Sequence, residues 1–353
     1  MRTYLVLFSI LLVFLAGCIS TESKVEDTTT AVTFVSVTDF TGETSTINSP
    51  VERVVSNYGL IPPIIYLFGE GDKIVAGRGV MGADEFIDAV DPEFKTRSKD
   101  IKSDNVEEIK SLNPDVIFAP SWGSQQGQYP QLKSLGIPVV FIDIETASNY
   151  YKTIEMMGEV FQKEAYAQEL IDYYNQSTND VLKRTASISE NEKPRVLFLV
   201  YDQRKNSYWT PGGEFYQNNL ITMAGGKTVS SDLPTGKAQI NVEQAASWNP
   251  DVIITSAHTM EYPSTKVKED VLTDEGWKEI NAVKSGNVYA MPFDGESWDT
   301  LGSKYVLGLY WTAKTLHPDM YTDVDILNLT SSEYERFFNV SIDEVTLVGD
   351  NIE

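Results

Sequence analysis

Aromatic and cationic side chains recur where the predicted strands of this 353-residue chain end. The candidate ligand contacts are Asn57, Tyr58, Arg78 and Trp122 in the first half, and Arg204, Tyr208, Trp209, His258 and Trp298 in the second. Aromatic faces stack on planar ligands, and the guanidinium fork of Arg matches carboxylates and other anionic groups. We expect Trp122, Trp209 and Trp298 above all to meet a ligand, because a large aromatic residue in a loop has no role in a core.

The sequence contains few residues that could bind a metal ion or act in catalysis. With one Cys and two His, the chain cannot form a disulfide framework or a zinc site of the Cys/His kind. His317 precedes a proline at a helix end, so we expect it to hydrogen-bond carbonyls there and to be structural. The acidic group Asp294, Glu296 and Asp299 could hold calcium, but in so acidic a chain a solvated face is the better expectation. We therefore expect no bound metal, no cofactor, no catalytic residue and no enzyme activity.

Net charge narrows the choice of partners. The chain has 28 Lys and Arg against 51 Asp and Glu, a formal net charge of −23. Such a surface repels phosphate backbones and anionic lipid headgroups, so nucleic-acid binding is not expected. Apolar residues make up 42% of the chain and aromatic residues 11%, as is typical of a packed globular protein.

The N-terminal segment has the features of an export signal. The apolar run at residues 4–16 is shorter than the ~20 residues of a spanning helix and suits a signal peptide. The run ends in Leu15-Ala16-Gly17-Cys18, which resembles the lipobox of secreted lipoproteins, and Cys18 is the single cysteine of the chain. We expect a signal peptide at 1–17, acylation of Cys18, and a polar tether at 18–31 that holds the protein on the extracytoplasmic face of the cell membrane.

The elements that position these residues alternate along the chain. Residues 32–49 alternate in polarity around a turn, which predicts a β-hairpin. Short apolar strands are predicted at 53–57, 73–77, 116–119 and 139–143, and two prolines open a helix at 61–68. Strands that alternate with helices predict an α/β fold with parallel sheets.

An internal repeat predicts two lobes. Residues 105–118 contain Asn-Val-Glu and Asn-Pro-Asp before a strand, and residues 241–254 repeat this order at an offset of 136. We expect an N-terminal lobe at 32–148, a C-terminal lobe at 189–316 and an extension at 317–353 that packs on the outside. Residues 149–188 lack proline and predict a long linker helix between the lobes.

Taken together, the lipobox, residues 37–42 (VTDFTG), the duplicated lobes and Ser297-Trp298-Asp299 resemble the class III periplasmic binding proteins. These are the cobalamin and ferric-siderophore family that delivers metal chelates to ABC importers. The resemblance implies two Rossmann-like lobes with parallel sheets, joined by one long helix, with the ligand in the cleft between them. It implies a monomer that carries an iron-siderophore-type chelate or cobalamin to a permease dimer.

The repeat also places an acid at the same position in each half. Glu107 and Glu243 open matching helices, where a carboxylate favours the helix macrodipole by ~0.3–1 kcal/mol. The resemblance implies a second role, because in that family one glutamate on each lobe forms salt bridges to permease arginines. Two alternatives stay open: a binder of haem or of an oxyanion such as molybdate on the same fold, and an extracytoplasmic carbohydrate-active enzyme.

Overall fold

The computed structural model describes residues 33–77, 84–101 and 105–352, so the predicted signal peptide, Cys18 and the tether lie outside the described residues. The body begins with the predicted hairpin, β1 (Thr33–Thr38) and β2 (Thr44–Ser49), which pair antiparallel. Its turn is closed by the Asp39 carboxylate, which accepts hydrogen bonds from the backbone N–H and hydroxyl of Thr41. The hairpin prediction is confirmed.

The first lobe is built on a parallel sheet. Its strands are β3 (Val54–Ser56), β4 (Ile74–Gly77), β5 (Lys99–Asp100), β6 (Val116–Pro120) and β7 (Val139–Ile142), in the order β5-β4-β3-β6-β7. The helices are α1 (Pro62–Leu67), α2 (Asp84–Val90), α3 (Phe94–Arg97), α4 (Val106–Ser111) and α5 (Gln128–Ser134), with 3-10 turns at Gly71–Lys73 and Ser121–Gly123. Successive residues of a strand face opposite sides, so Val54 packs in one hydrophobic cluster and Val55 in another.

Two helices occupy the segment that predicted one. Helix α6 (Ala147–Phe161) ends where Gln162 takes a left-handed conformation (φ 56°), and α7 (Glu164–Thr185) follows as the linker helix. The two helices cross closely at Gly158, where a Cβ would lie 2.6 Å from the Cβ of Ala167. The long linker helix is therefore confirmed as the 22-residue α7. Within the described residues, neither this helix nor another one has the length and apolar character that crossing a bilayer needs.

The second lobe repeats the plan with an antiparallel addition. Its strands are β8 (Arg195–Asp202), β9 (Ser207–Gly212), β10 (Lys227–Thr228), β11 (Gly236–Ile240), β12 (Val252–Ser256) and β13 (Val288–Ala290). The helices are α8 (Tyr216–Met223), α9 (Val242–Trp248), α10 (Ser264–Thr273), α11 (Asn281–Lys284) and α12 (Tyr305–Leu316), with a 3-10 turn at Glu275–Trp277. The sheet order is β11-β9-β8-β12-β13. Strands β8, β12 and β13 are parallel as predicted, whereas β9 and β11 are antiparallel because a tight turn at 203–206 folds β9 back on β8.

The sequence repeat is also a repeat of hydrogen bonds. The Asp115 carboxylate accepts from the backbone N–H of Arg53 at 2.9 Å, and the Asp251 carboxylate accepts from that of Arg195 at 3.0 Å. In return, the backbone N–H of each aspartate donates to the carbonyl of the same arginine at 2.8 Å. Each Asn-Pro-Asp thus ties the start of one parallel strand to the start of its neighbour.

The C-terminal extension, which we expected to pack on the outside, buries one face against the core and leaves its other face exposed. After 3-10 turns at Pro318–Met320, helix α13 (Ile326–Phe338) runs to a last turn at Ile342–Glu344. Its apolar face is buried in the hydrophobic cluster that continues from the inner face of the first sheet through α6 and α7 to the second sheet. The reason is the helical spacing of Ile326, Thr330, Tyr334 and Phe337, whose buried side chains form one stripe of α13 that faces the core.

Candidate functional site

The first lobe presents an aromatic pair, a half-buried tyrosine and an exposed tryptophan, where two neighbouring strands end. Tyr58 follows β3 and Trp122 follows β6, and the two rings meet edge to face with centroids 5.9 Å apart. The Trp122 side chain is 58% exposed. Burial raises the pKa of Tyr58, and the nearby Glu145 raises it further. We call Tyr58 and Trp122 the first-lobe site; Pro120, Ile142, Asp143, Ile144 and Glu145 line a small hollow beside it.

The first-lobe candidate Asn57 does not add to this surface. Asn57 is buried, and its amide donates a hydrogen bond to the Tyr129 hydroxyl at 2.9 Å. It therefore supports the loop from beneath. Arg78, which follows β4, lies outside the described residues.

The second lobe presents a stacked pair with a cation above it. The rings of Trp209 and His258 are parallel within 5°, with centroids 6.1 Å apart. The Lys237 ammonium, on the neighbouring strand β11, lies 4.7 Å from the centre of the Trp209 ring. Burial lowers the pKa of His258, although the Asp299 carboxylate opposes this. The Nε2 atom of His258 is buried and has no hydrogen-bond partner among the described residues. We call Trp209, Lys237 and His258 the second-lobe site.

Strand β9 separates two residues that were expected to act together. Tyr208 and Trp209 are adjacent in the strand, so their side chains face opposite sides of the sheet. Tyr208 packs against Trp277 on the outer face, and burial raises its pKa to about 12. Arg204 is exposed at the tip of the β8–β9 turn. We expected Arg204, Tyr208 and Trp209 to share one surface, and this expectation is wrong for Tyr208.

Trp298 and the acids around it are interior residues, and the two expectations for them were wrong. Trp298 is fully buried, as are Asp294 and Asp299, while Glu296 is 4% exposed. The loop folds inward because hydroxyl and backbone donors pair with these acids: Asp299 accepts from Ser256 and Ser297 at 2.8 and 2.6 Å. The acids form neither a solvated face nor a shared metal site.

The sequence analysis did not identify Lys237 as part of the second-lobe site. Lys237 reaches Trp209 through the pairing of β11 with β9, a register that no local motif encodes. The serines beside Asp299 were a usable signal, since hydroxyls next to an acid can satisfy it when buried. His317 follows α12 and makes a structural contact, but its Nε2 lies 3.1 Å from the carbonyl oxygen of Gly225 beyond α8, whereas we expected a carbonyl at the end of its own helix.

The two repeat glutamates occupy equivalent and exposed places. Glu107 lies in the first turn of α4 and Glu243 in the first turn of α9. In each helix the side chain of the capping Asn accepts a hydrogen bond from the backbone N–H of the residue that follows the glutamate. That residue is Glu108 in α4 and Gln244 in α9. Glu108 also accepts from the Asn105 amide, so it serves the cap, and Glu107 is the structural match of Glu243.

Comparison with known proteins identifies the family. A family model described as periplasmic binding protein matches residues 54–294. An uncharacterized ABC transporter substrate-binding lipoprotein of Bacillus subtilis is 29% identical over 318 residues, which cover 88% of this chain and 95% of the relative. The molybdate-binding protein of Haemophilus influenzae is 26% identical over 263 residues, covering 69% and 72%. A solved periplasmic solute binding protein from Veillonella parvula, 25% identical, superposes with a TM-score of 0.77 over 88% of this chain and 95% of its own. The chain therefore belongs to the class III periplasmic binding proteins and is the substrate-binding protein of an ABC transporter.

Proposed function

We propose that the protein captures a metal chelate of the iron-siderophore type, or cobalamin, outside the cell and delivers it to the permease of an ABC importer. The observation that carries this proposal is the exposed Trp122 beside Tyr58. Ligands of α/β sheets bind at the carboxyl ends of the strands, and this pair stands at the ends of β3 and β6. Exposed aromatic faces suit aromatic chelators and corrin rings.

Unpaired polar atoms at the second-lobe site favour a ligand that can form hydrogen bonds. Besides His258 Nε2, the Tyr216 hydroxyl is buried without a hydrogen-bond partner among the described residues. Asp299 is one of the charges that act on both His258 and Tyr216. Buried donors are costly when unpaired, and acceptor atoms of a chelate would satisfy them.

Molybdate is the second candidate ligand. It is favoured by the similarity to the molybdate-binding protein and by the same unpaired donors, which suit an oxyanion. An oxyanion would not need the exposed ring of Trp122. Haem, the other alternative ligand, would use both the aromatic surface and His258.

Titration calorimetry with ferric tris-catecholate, cobalamin, haem and molybdate separates these candidates. We expect the protein to bind ferric tris-catecholate or cobalamin. The Trp122→Ala variant should bind that ligand about 5- to 150-fold more weakly, because it lacks a stacked aromatic anchor. Phe34→Ala, which removes a 65% exposed ring from the hairpin, is the matched control. Binding of molybdate alone, unaffected by Trp122→Ala, would assign the site to the second candidate and overturn the proposal.

An enzyme acting on surface carbohydrate finds less support. Such an enzyme needs paired carboxylates that reach the substrate across the cleft. The buried acids Asp294, Glu296 and Asp299 all belong to one loop and pair with groups of the second lobe. We therefore propose a carrier without enzymatic activity, which acts as a monomer.

We further propose that Glu107 and Glu243 dock the two lobes on the permease dimer. Both carboxylates are exposed, and neither forms a salt bridge within the described part of the chain. In reconstituted vesicles, the double variant Glu107→Ala/Glu243→Ala should bind ligand normally and lose most stimulation of the transporter ATPase. Glu108→Ala/Gln244→Ala, one position along each helix, is the control that should retain it. Equal stimulation by both double variants would return the glutamates to a helix-end role.

Cys18 is proposed as the lipid attachment point. Cys18→Ser should release a folded protein from membranes, because stable anchoring needs the acyl chains. Fractionation that finds this variant still bound to membranes would refute the anchor.

A further inference from the structure

A buried lysine stands at the junction of three segments. The Lys304 side chain is 1% exposed, and its ammonium lies 3.7 Å from the Asp294 carboxylate. The same nitrogen is 3.8 Å from the ring centres of Phe86 and Tyr334 and 4.2 Å from that of Phe338. Three ring faces and one carboxylate therefore replace water around this cation.

Lys304 and the rings around it come from three parts of the chain that are far apart in sequence. Phe86 belongs to α2 of the first lobe, Lys304 directly precedes α12 of the second, and Tyr334 and Phe338 belong to α13 of the extension. Phe86 also meets Phe338 edge to face, with centroids 4.9 Å apart. The first lobe thus contacts the extension and the second lobe at one point.

Lys304 ends a loop, residues 292–304, that is held along its length. We call it the interlobe loop. The extension pairs with its start, since Phe293 and Val348 exchange backbone hydrogen bonds at 2.8 and 2.9 Å. Helix α6 holds its end, because the Tyr150 hydroxyl donates to the Gly302 carbonyl at 2.9 Å. Its middle lies directly on α12, where a Cβ on Gly308 would come 1.9 Å from the Trp298 carbonyl oxygen.

We propose that residues 317–352 form an interlobe clasp, in which α13 encloses Lys304 together with Phe86 and so fixes the angle between the lobes. The clasp also sets the position of the interlobe loop, which carries Asp299 beside the second-lobe site. Only this last step rests on the proposed function; the fixed lobe angle does not depend on the ligand.

Two adjacent phenylalanines provide a matched test. Phe337 and Phe338 are 6% and 8% exposed in the same helix, but Phe337 packs on Tyr173 of α7, whereas Phe338 packs on Phe86 of the first lobe. Removing either ring takes away similar buried area. Only the loss of Phe338 opens the clasp.

The experiment measures the lobe angle without ligand. In the full chain with Cys18→Ser, spin labels at Ser134→Cys of α5 and Ser285→Cys beyond α11 report the interlobe distance by double electron–electron resonance. We expect a narrow distance distribution in the parent and in Phe337→Ala, and at least a doubling of its width in Phe338→Ala. Lys304→Met, which removes the charge and keeps the stem, should broaden it as well and decides the test if Phe338→Ala does not fold.

A narrow distribution at the parental distance in folded Lys304→Met or Phe338→Ala would overturn the clasp. Equal broadening in Phe337→Ala would do so too, because any loss of packing in α13 would then suffice. Since no ligand is present, neither result bears on the proposed transport function.

Discussion

The two lobes are alike at the amino ends of their strands and different at the carboxyl ends. Asp115 and Asp251 tie matching strands to matching arginines with nearly equal distances. At the other end, the first lobe exposes Trp122, whereas the second buries Trp298 and covers Trp209 with Lys237. The repeat thus specifies a scaffold that occurs twice, whereas the aromatic residues at the carboxyl ends come from loops that the two copies do not share.

The largest effect should separate the two tryptophans. Trp298→Ala removes a fully buried ring and should lower the free energy of unfolding by about 3–5 kcal/mol. Trp122→Ala removes a mostly exposed ring and should change it by no more than about 0.5 kcal/mol. Urea denaturation of both variants measures the difference. Similar losses would show that Trp122 is a core residue and not a ligand surface.

The next effect concerns the buried acids of the second lobe and the extension. Burial raises the pKa of Glu333 to about 7, and Tyr173 donates a hydrogen bond to its carboxyl group. The folded state therefore keeps a proton that the unfolded state loses near pH 4.5, so this group stabilises the fold at low pH and the contribution is lost as the pH rises through about 7.

Glu333→Gln removes this titration and keeps an acceptor for Tyr173. Relative to the parent, the variant should gain about 2–3 kcal/mol of stability between pH 5 and pH 8. Denaturant midpoints at the two pH values test this, and the comparison with the parent cancels the opposite contribution of His258, whose pKa is lowered. A constant difference between variant and parent at both pH values would show that Glu333 does not titrate in this range.

Local pattern was sufficient for the scaffold and insufficient for the site. Alternation predicted the hairpin because its contacts join neighbours in sequence, and the Asn-Pro-Asp repeat predicted two lobes because the same residues recur in the same order. The burial of Trp298 depends on the packing of the interlobe loop against α12, and the cation above Trp209 depends on strand register. The same limit applies to α13, whose apolar stripe was visible although its partner Phe86 lies far away in sequence.

The smallest effect tests how closely the repeat is matched. Asp115 accepts from the backbone N–H groups of both Glu52 and Arg53, whereas Asp251 accepts from Arg195 alone. Asp115→Ala should therefore cost about 2 kcal/mol of stability and Asp251→Ala about 1 kcal/mol. Thermal unfolding of the two variants measures both values. A larger loss in Asp251→Ala would mean that the second copy depends on its Asn-Pro-Asp more than the first.

We propose that the cleft between these unlike lobes carries an intact metal chelate. Native mass spectrometry of the protein purified from the organism that produces it tests this most directly. We expect a non-covalent adduct that retains both the metal and its organic chelator. The Trp122→Ala variant should yield a smaller amount of this adduct. Recovery of a bare oxyanion, or of a metal ion without a chelator, would contradict it.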